Sequence, residues 1–166
     1  MVFRNPQTIY GSVAMWIPKG SNSYRMVTDY RAVNDTIEPA AMPMPNLEDK
    51  AFLFAGATAW YTLDMLQSYW QVPLSEDVQE MFTMVMPEGL FTPRRVPPGV
   101  LNATGYFQVT AGDVLDGFID EICLVWLDGI VIWVETPAFL LNRLLVIFDR
   151  LLERGLSAAA HKAIFV

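Results

Sequence analysis

The sequence contains one cysteine, one histidine and few charged residues, and each shortage excludes a class of protein. The single cysteine, Cys123, has no partner for an internal disulfide, which favours a reducing, intracellular compartment. Only 17% of the residues are charged, and a net charge of −7 argues against a stand-alone, charge-driven nucleic-acid binder. Although 53% of the residues are hydrophobic, the apolar runs fall short of the roughly 20 residues that span a bilayer. We therefore expect neither a membrane span nor a secretion signal.

The first part of the chain predicts strands separated by a turn and an extended connector. Three prolines in residues 39–45 fix φ and disfavour a helix there. Asn46 is the predicted cap of a short helix that ends at Gly56. Alternating or β-branched patterns predict strands at 12–17, 24–28 and 58–64.

The second part predicts helices between hairpins. Asn102 is expected to cap a helix that runs to about Phe118, and Thr136 to cap a second helix with Pro137 at its first position. Gly155 follows that helix, and the tail predicts a last strand. The chain also predicts hairpin strands at 81–86 and 91–95, and a second hairpin within 122–134.

The segment 122–134, ICLVWLDGIVIWV, carries one ionisable side chain, Asp128, between two apolar runs. Asp-Gly pairs are typical of tight hairpin turns, so we expect Gly129 to supply a positive φ. Asp128 is then either only a turn residue or a metal ligand presented at a rigid tip. A second carboxylate, Asp64, ends the strand predicted at 58–64. Adjacent central strands could bring both tips together, where Mg²⁺ would offset the repulsion between them.

Six sequence motifs, taken together, resemble those in the fingers and palm of reverse transcriptases from gypsy-like retrotransposons. The resemblance covers the chain from about Ser12 to its last residue. The motifs are YRMVTDYRAVND, MPMPNLED, TLDMLQSYWQVPL, RRVPPGVLNATGYFQ, VWLDGIVIW and ERGLSAAAHKAIFV. It implies an α+β fold, with an antiparallel palm sheet covered by helices on one face and a partial, β-rich fingers subdomain. The implied division places about 1–56 and 80–100 in the fingers, and about 57–79 and 101–166 in the palm.

The resemblance also implies the site. Asp64 and Asp128 match the metal-binding aspartates, and the Met65 carbonyl matches an additional ligand of the two Mg²⁺ ions, with Mn²⁺ as an alternative. Tyr69 matches the steric gate that excludes a ribose 2′-hydroxyl. Lys162 matches a lysine that protonates departing pyrophosphate, although it could equally be a solvated surface lysine.

The remaining implied contacts are with the nucleotide. Lys19 and Arg25 match cations that hold the triphosphate, and the Gln67 and Ser68 amides match its phosphate cradle. Pro98 and Gly99 belong to the PxG word that faces the incoming nucleotide.

Four positions depart from the family pattern. Gly129 stands where the second aspartate of the turn pair is expected, so two side-chain carboxylates remain of three. Pro98 stands where Gln or Phe is common, Leu101 stands where Lys is frequent, and Trp126 stands where Tyr is commoner. His161 matches no role in the family.

The expected function is RNA-directed DNA polymerisation, impaired by Gly129, on an RNA or DNA template-primer with deoxynucleoside triphosphates. The expected partners include thumb and ribonuclease H segments of a larger polyprotein, which would supply the missing positive charge. Two alternatives remain: an inactive remnant that at most binds nucleic acid or protein, and a generic α+β interaction domain.

Overall fold

The computed structural model describes residues 1–20, 22–42 and 44–165 in two compact units. Ser21, Pro43 and Val166, which belong to the predicted turn, connector and last strand, lie outside the described residues. The first unit is Met1–Ala40 with Tyr69–Ala103, and the second is Ala41–Ser68 with Thr104–Val166.

The units depart from the predicted division at 41–56, 69–79 and 101–103. Packing explains the first two differences. Trp70 packs on the core of the first unit, and Phe54 packs edge-on against Trp133 of the second, with ring centroids 5.1 Å apart.

The described residues form nine strands and four α-helices. The strands are β1 Val2–Arg4, β2 Ser12–Pro18, β3 Tyr24–Thr28, β4 Ala59–Asp64, β5 Met84–Met86, β6 Gly89–Pro93, β7 Cys123–Trp126, β8 Gly129–Val134 and β9 Ile164–Phe165. The helices are α1 Arg31–Asn34, α2 Glu76–Gln79, α3 Ala103–Val114 and α4 Leu140–Glu153. Short 3₁₀ helices cover Ala51–Phe54, Ser68–Gln71, Glu80–Phe82, Pro137–Phe139 and Ala160–Lys162.

A five-stranded sheet in the order β1-β6-β5-β2-β3 forms the first unit. β2 runs parallel to β5, and the other neighbours are antiparallel. Its core is built on Tyr30, Phe82 and Met84. The Tyr30 hydroxyl donates to the Phe82 carbonyl at 2.9 Å, so the buried phenol has a hydrogen-bond partner.

An antiparallel sheet in the order β7-β8-β4-β9 forms the second unit. Leu63 pairs with Ile130, which pairs with Val125, and all three side chains are at most 1% exposed. Because neighbouring residues of a strand point to opposite faces, the next row, which begins with Asp64, lies on the other face of the sheet. The predicted α+β fold with an antiparallel palm sheet is confirmed.

Burial also determines the chemistry of the only thiol. Cys123 lies on the buried face of β7, and its burial, with a further contribution from the charge of Asp120, raises its pKa to about 12. Such a thiol stays protonated and unreactive at neutral pH. None of the helices in the described ranges is long and apolar enough to cross a membrane.

The helix predicted after Asn46 is wrong. Residues 47–50 form turns, and only Ala51–Phe54 are helical, as a single 3₁₀ turn. The Asn46 side chain accepts from the Glu48 amide at 3.1 Å, which makes a local turn. A segment this short is barely stable as a helix alone, and tertiary contacts hold it instead, among them the packing of Phe54 on Trp133 and the ion pair between Lys50 and Asp120.

Among the described residues, neither predicted cap residue makes a side-chain hydrogen bond to its helix. Asn102 precedes α3 with a φ of 58°, but its side chain accepts from the Ala40 amide and donates to the Glu38 carbonyl, both at 3.0 Å. It therefore ties down the connector rather than the helix, and α3 ends at Val114 instead of near Phe118. Thr136 does occupy the N-cap position, and the helical segment begins with Pro137 as predicted. The Thr136 side chain makes no capping hydrogen bond, however, and the first turn, Pro137–Phe139, is 3₁₀ before α4 begins.

Two glycines of α3 provide a matched test of packing. A Cβ at Gly105 would lie 2.9 Å from the Met42 Cβ, whereas one at Gly112 would meet only the Ile119 Cδ1 at 3.9 Å. Gly112→Ala should raise the free energy of unfolding by about 0.5–1 kcal/mol through helix propensity. Gly105→Ala should lower the free energy of unfolding, because overpacking costs about 1–3 kcal/mol. The same gain in helix propensity offsets part of this cost.

Urea denaturation of both variants measures the difference. Equal stabilisation by the two substitutions would contradict the close packing of α3 on Met42.

Candidate active site

The register of β4 against β8 brings Asp64 and Asp128 to the same end of one sheet. Asp64, the last residue of β4, pairs with Gly129, the first residue of β8. The Met65 amide donates to the Asp128 carbonyl at 2.9 Å. Both aspartates line a surface cavity of about 210 Å³, together with Trp126 and Gly129. The two carboxylates therefore belong to a single site of the second unit.

The turn that presents Asp128 differs from the expected one. Trp126 pairs with Gly129, so the two loop residues are Leu127 and Asp128. Leu127 has a φ of 54°, and Gly129 is not in the left-handed region. The expectation that Gly129 supplies the positive φ is wrong, because pairing draws this glycine into the strand. A left-handed leucine costs roughly 1–2 kcal/mol, so the paired strands hold the turn in a strained conformation.

Gly129 leaves room beside Asp64. A Cβ built at residue 129 would lie 3.6 Å from the Trp126 carbonyl oxygen, 3.8 Å from that of Leu63 and 4.0 Å from the Asp64 Oδ1. These are ordinary van der Waals distances. A carboxylate at this position would fit and would stand next to that of Asp64.

Lys162 forms an ion pair with Asp64. The Lys162 Nζ lies 3.2 Å from the Asp64 Oδ2, and both side chains are about half exposed, at 49% and 46%. The sequence alone could not decide between a surface lysine and a lysine of the site. The structure places this ammonium on one of the candidate metal ligands.

Main-chain bonds hold residues 64–66 against the segment that precedes Lys162. The Asp64 carbonyl accepts from the Ala159 amide at 2.7 Å, and the Leu66 amide donates to the Ser157 carbonyl at 2.9 Å. Met65 is 3% exposed, which fixes the backbone between these bonds.

The predicted phosphate cradle follows directly. Gln67 has a φ of 48°, so the chain turns sharply there, and the Ser68 side chain is buried. The structure thus places the Gln67 and Ser68 amides in a tight turn just after Asp64 and Met65.

The predicted triphosphate cations lie in the first unit, on the β2–β3 hairpin. Arg25 pairs with Ile17, and the Lys19 amide extends the pairing to the Ser23 carbonyl at 2.7 Å. Both side chains are exposed, and neither makes a salt bridge within residues 1–20, 22–42 and 44–165.

Arg31, by contrast, forms a salt bridge with Asp29. Its side-chain hydrogen bonds hold the pKa of Asp29 at about 2.

The PxG segment is held by a residue that the sequence did not single out. The Asn34 Nδ2 donates to the Gly99 carbonyl at 3.0 Å, and its Oδ1 accepts from the Leu101 amide at 2.8 Å. Gly99 has a φ of 94°, so its conformation requires glycine. Pro98 is partly buried in the same turn.

The predicted gate, Tyr69, also belongs to the first unit, and its carbonyl accepts from the Val72 amide at 3.0 Å.

The donor set at the sheet end suits a hard cation. Asp64 and Asp128 supply carboxylate oxygens, and Mg²⁺ is commonly held by one or two carboxylates. Among the described residues, no group of three or more histidines, cysteines or acids could share a metal ion. The residues present therefore fit magnesium, with one carboxylate fewer than the family pattern provides.

Comparisons with known proteins show the family and the fold. Residues 17–166 match the family model described as reverse transcriptase (RNA-dependent DNA polymerase). The chain is 34% identical over 112 residues to an RNA-directed DNA polymerase homolog of Oenothera berteroana, which covers 67% of this chain and 78% of the relative.

Longer relatives are retrovirus-related Pol polyproteins. The chain is 26% identical to that of transposon 297 of Drosophila melanogaster, over 99% of this chain, but it spans only 16% of the relative. It is similar in fold to the foamy viral protease-reverse transcriptase in complex with RNA/DNA hybrid, with a TM-score of 0.83 and 24% identity over 98% of this chain and 21% of that one.

The space at Gly129 can be tested by stability alone. Asp64 and residue 129 are direct cross-strand neighbours, where like charges are destabilising. Gly129→Asp should therefore unfold more easily than the isosteric Gly129→Asn, by about 0.2–1 kcal/mol at low ionic strength. Urea midpoints in low and high salt measure this difference, which salt should reduce. Equal midpoints at low salt would mean that the side chain at 129 points away from Asp64.

Proposed function

The chain belongs to the reverse transcriptase (RNA-dependent DNA polymerase) family, and from this premise we propose that it carries the nucleotidyl-transfer site of a retrotransposon polyprotein. The observation that carries the proposal is the pairing of Asp64 with Gly129, which brings the Asp64 and Asp128 carboxylates to one sheet end. The reaction joins a deoxynucleotide to a primer 3′ end, on an RNA or DNA template, in an intracellular compartment.

Asp64 and Asp128 would hold two Mg²⁺ ions, or Mn²⁺, with the Met65 carbonyl as a further ligand. Bound metal would activate the primer 3′ oxygen and stabilise charge on the leaving oxygen. The hydrogen bond from the Met65 amide to the Asp128 carbonyl holds the two aspartates at a rigid end of the sheet, where their carboxylates would position the metal charge. Preorganised groups of this kind supply much of the rate in phosphoryl transfer.

The remaining roles concern the nucleotide and the leaving group. Lys19 and Arg25 would hold the triphosphate, and the Gln67 and Ser68 amides would donate hydrogen bonds to its oxygens, in the turn that follows Met65. Lys162 would donate a proton to the departing pyrophosphate.

Two further contacts would be with the incoming nucleotide itself. Pro98 and Gly99 would face it, in the turn that Asn34 clamps. Tyr69 would exclude the ribose 2′-hydroxyl.

Gly129 supports a second candidate, an inactive remnant that binds nucleic acid or a protein partner. Loss of one preorganised charged group typically costs about 10²–10³ in rate. A chain with two of three carboxylates should therefore extend a primer very slowly or not at all. Retained template-primer binding without extension would favour this candidate.

Gly129→Asp should restore primer extension, because the added carboxylate fits beside Asp64 with no left-handed strain. The expected gain is about 10²–10³ in rate. The measurement is Mg²⁺-dependent extension of a labelled primer, with the thumb segment of a related reverse transcriptase supplied to both proteins. Gly129→Asn is the matched control, since it adds the same volume without the charge.

Equal, robust extension by the parent chain and Gly129→Asp would show that two carboxylates suffice. Absence of extension in both would favour the inactive remnant.

Tyr69→Val, made in the Gly129→Asp background, should admit ribonucleotides, because it removes the ring proposed to fill the 2′-hydroxyl space. The measurement is the ratio of kcat/KM for deoxynucleotides and ribonucleotides. Tyr10→Val, at an exposed tyrosine of the same unit, is the control. An unchanged ratio would refute the gate assignment.

A further inference from the structure

We propose that Lys162 is the resting counter-ion of Asp64 and competes with divalent metal for that carboxylate. This inference rests on the proposed metal role of Asp64. It differs from the proton-donor role of Lys162, because it concerns the site before any nucleotide arrives.

The ion pair is built into the fold. Ala159, whose amide donates to the Asp64 carbonyl at 2.7 Å, accepts in turn from the Lys162 amide at 2.9 Å. Two consecutive main-chain bonds therefore link the end of β4 to the 3₁₀ turn Ala160–Lys162. The side-chain contact of 3.2 Å between Nζ and Oδ2 extends this link. Main-chain hydrogen bonds thus hold Lys162 close to Asp64, whose carboxylate it neutralises.

A metal ion bound at Asp64 would lie close to the Lys162 ammonium, because both would contact the same carboxylate. An ammonium 3.2 Å from the Asp64 Oδ2 opposes coordination of a divalent ion by the same carboxylate, because two cations at one carboxylate repel each other. Asp64, Asp128 and Lys162 together carry one net negative charge, and Gly129 adds none. Metal binding at Asp64 is therefore weaker while Lys162 stays in contact with its carboxylate.

Linkage makes the effect reciprocal. If Lys162 weakens metal binding by some factor, bound metal weakens the contact between Lys162 and Asp64 by the same factor. The contact between Lys162 and Asp64 would then be weaker when the site is loaded, which is when a leaving group needs a proton. Lys162 would thus contact Asp64 before metal binds and would be available as a proton donor afterwards.

The partial exposure of the pair limits the size of the effect. Ion pairs with half-exposed partners are screened by solvent, so removal of Lys162 should tighten metal binding by only about two- to five-fold. Salt should reduce this ratio further.

Mn²⁺ binding to the full chain, measured by the electron paramagnetic resonance signal of the free ion, tests the proposal without catalysis. Lys162→Gln should lower the Kd for Mn²⁺, and the ratio to the parent chain should shrink in high salt. Arg154→Gln is the matched control, because it removes one exposed cation of the same unit that makes no ion pair among the described residues. The control should change the Kd much less.

Four outcomes overturn the proposal, and they differ in whether they also contradict the proposed metal role of Asp64. Equal tightening in Lys162→Gln and Arg154→Gln would mean a general effect of net charge. An unchanged Kd in Lys162→Gln, with binding weakened in Asp64→Asn, would remove the competition and leave the proposed metal ligand intact. If Asp64→Asn also leaves the Kd unchanged, or if no variant binds Mn²⁺, the proposed metal role of Asp64 fails as well.

Discussion

The antiparallel register of β4 and β8 is the constraint on which the candidate site depends. It sets Asp64 opposite Gly129 and leaves Asp128 in the two-residue loop, next to the Met65 amide. A slip of one residue would turn Asp64 towards the buried face, where Leu63 and Ile130 pack. The apolar core on one face therefore maintains the register that places a carboxylate on the other. The stability of the sheet and the geometry of the site have the same physical origin.

The strain in the turn changes how the Asp-Gly pair is interpreted. If Asp128 and Gly129 were there to make a tight turn, the glycine would carry the positive φ. Leu127 carries it instead, at 54°, and Gly129 is an ordinary strand residue. Turn formation therefore does not explain why residue 129 is glycine. What the glycine does is leave an open position next to Asp64, at the place where the family pattern has a carboxylate.

Asparagine side chains account for several connections that local propensity did not reveal. Asn34 holds both sides of the turn that contains Gly99, and Asn102 holds the connector at Glu38 and Ala40. Each residue looks locally like a turn former or a helix cap, because asparagine favours those roles. Their partners lie more than 60 positions away in sequence, so only the folded chain could reveal them.

The sequence by itself determined the positions of β2, β3 and β4, the family and the identity of the candidate ligands, because alternation, apolar runs and ordered motifs are local features; it missed β1, and it predicted a strand from 81 where Glu80–Phe82 form a 3₁₀ turn. β2, β3 and β4 begin and end within one residue of the predicted bounds. The tertiary structure alone decided three things: that residues 47–50 are not helical, that Leu127 bears the strained φ, and that Lys162 lies on Asp64. Each depends on contacts between distant segments, namely the packing of Phe54 on Trp133, the pairing of Trp126 with Gly129 and the main-chain bond from Ala159 to Asp64. Such contacts have no local signature, because their free energy arises only when the segments meet in the folded chain.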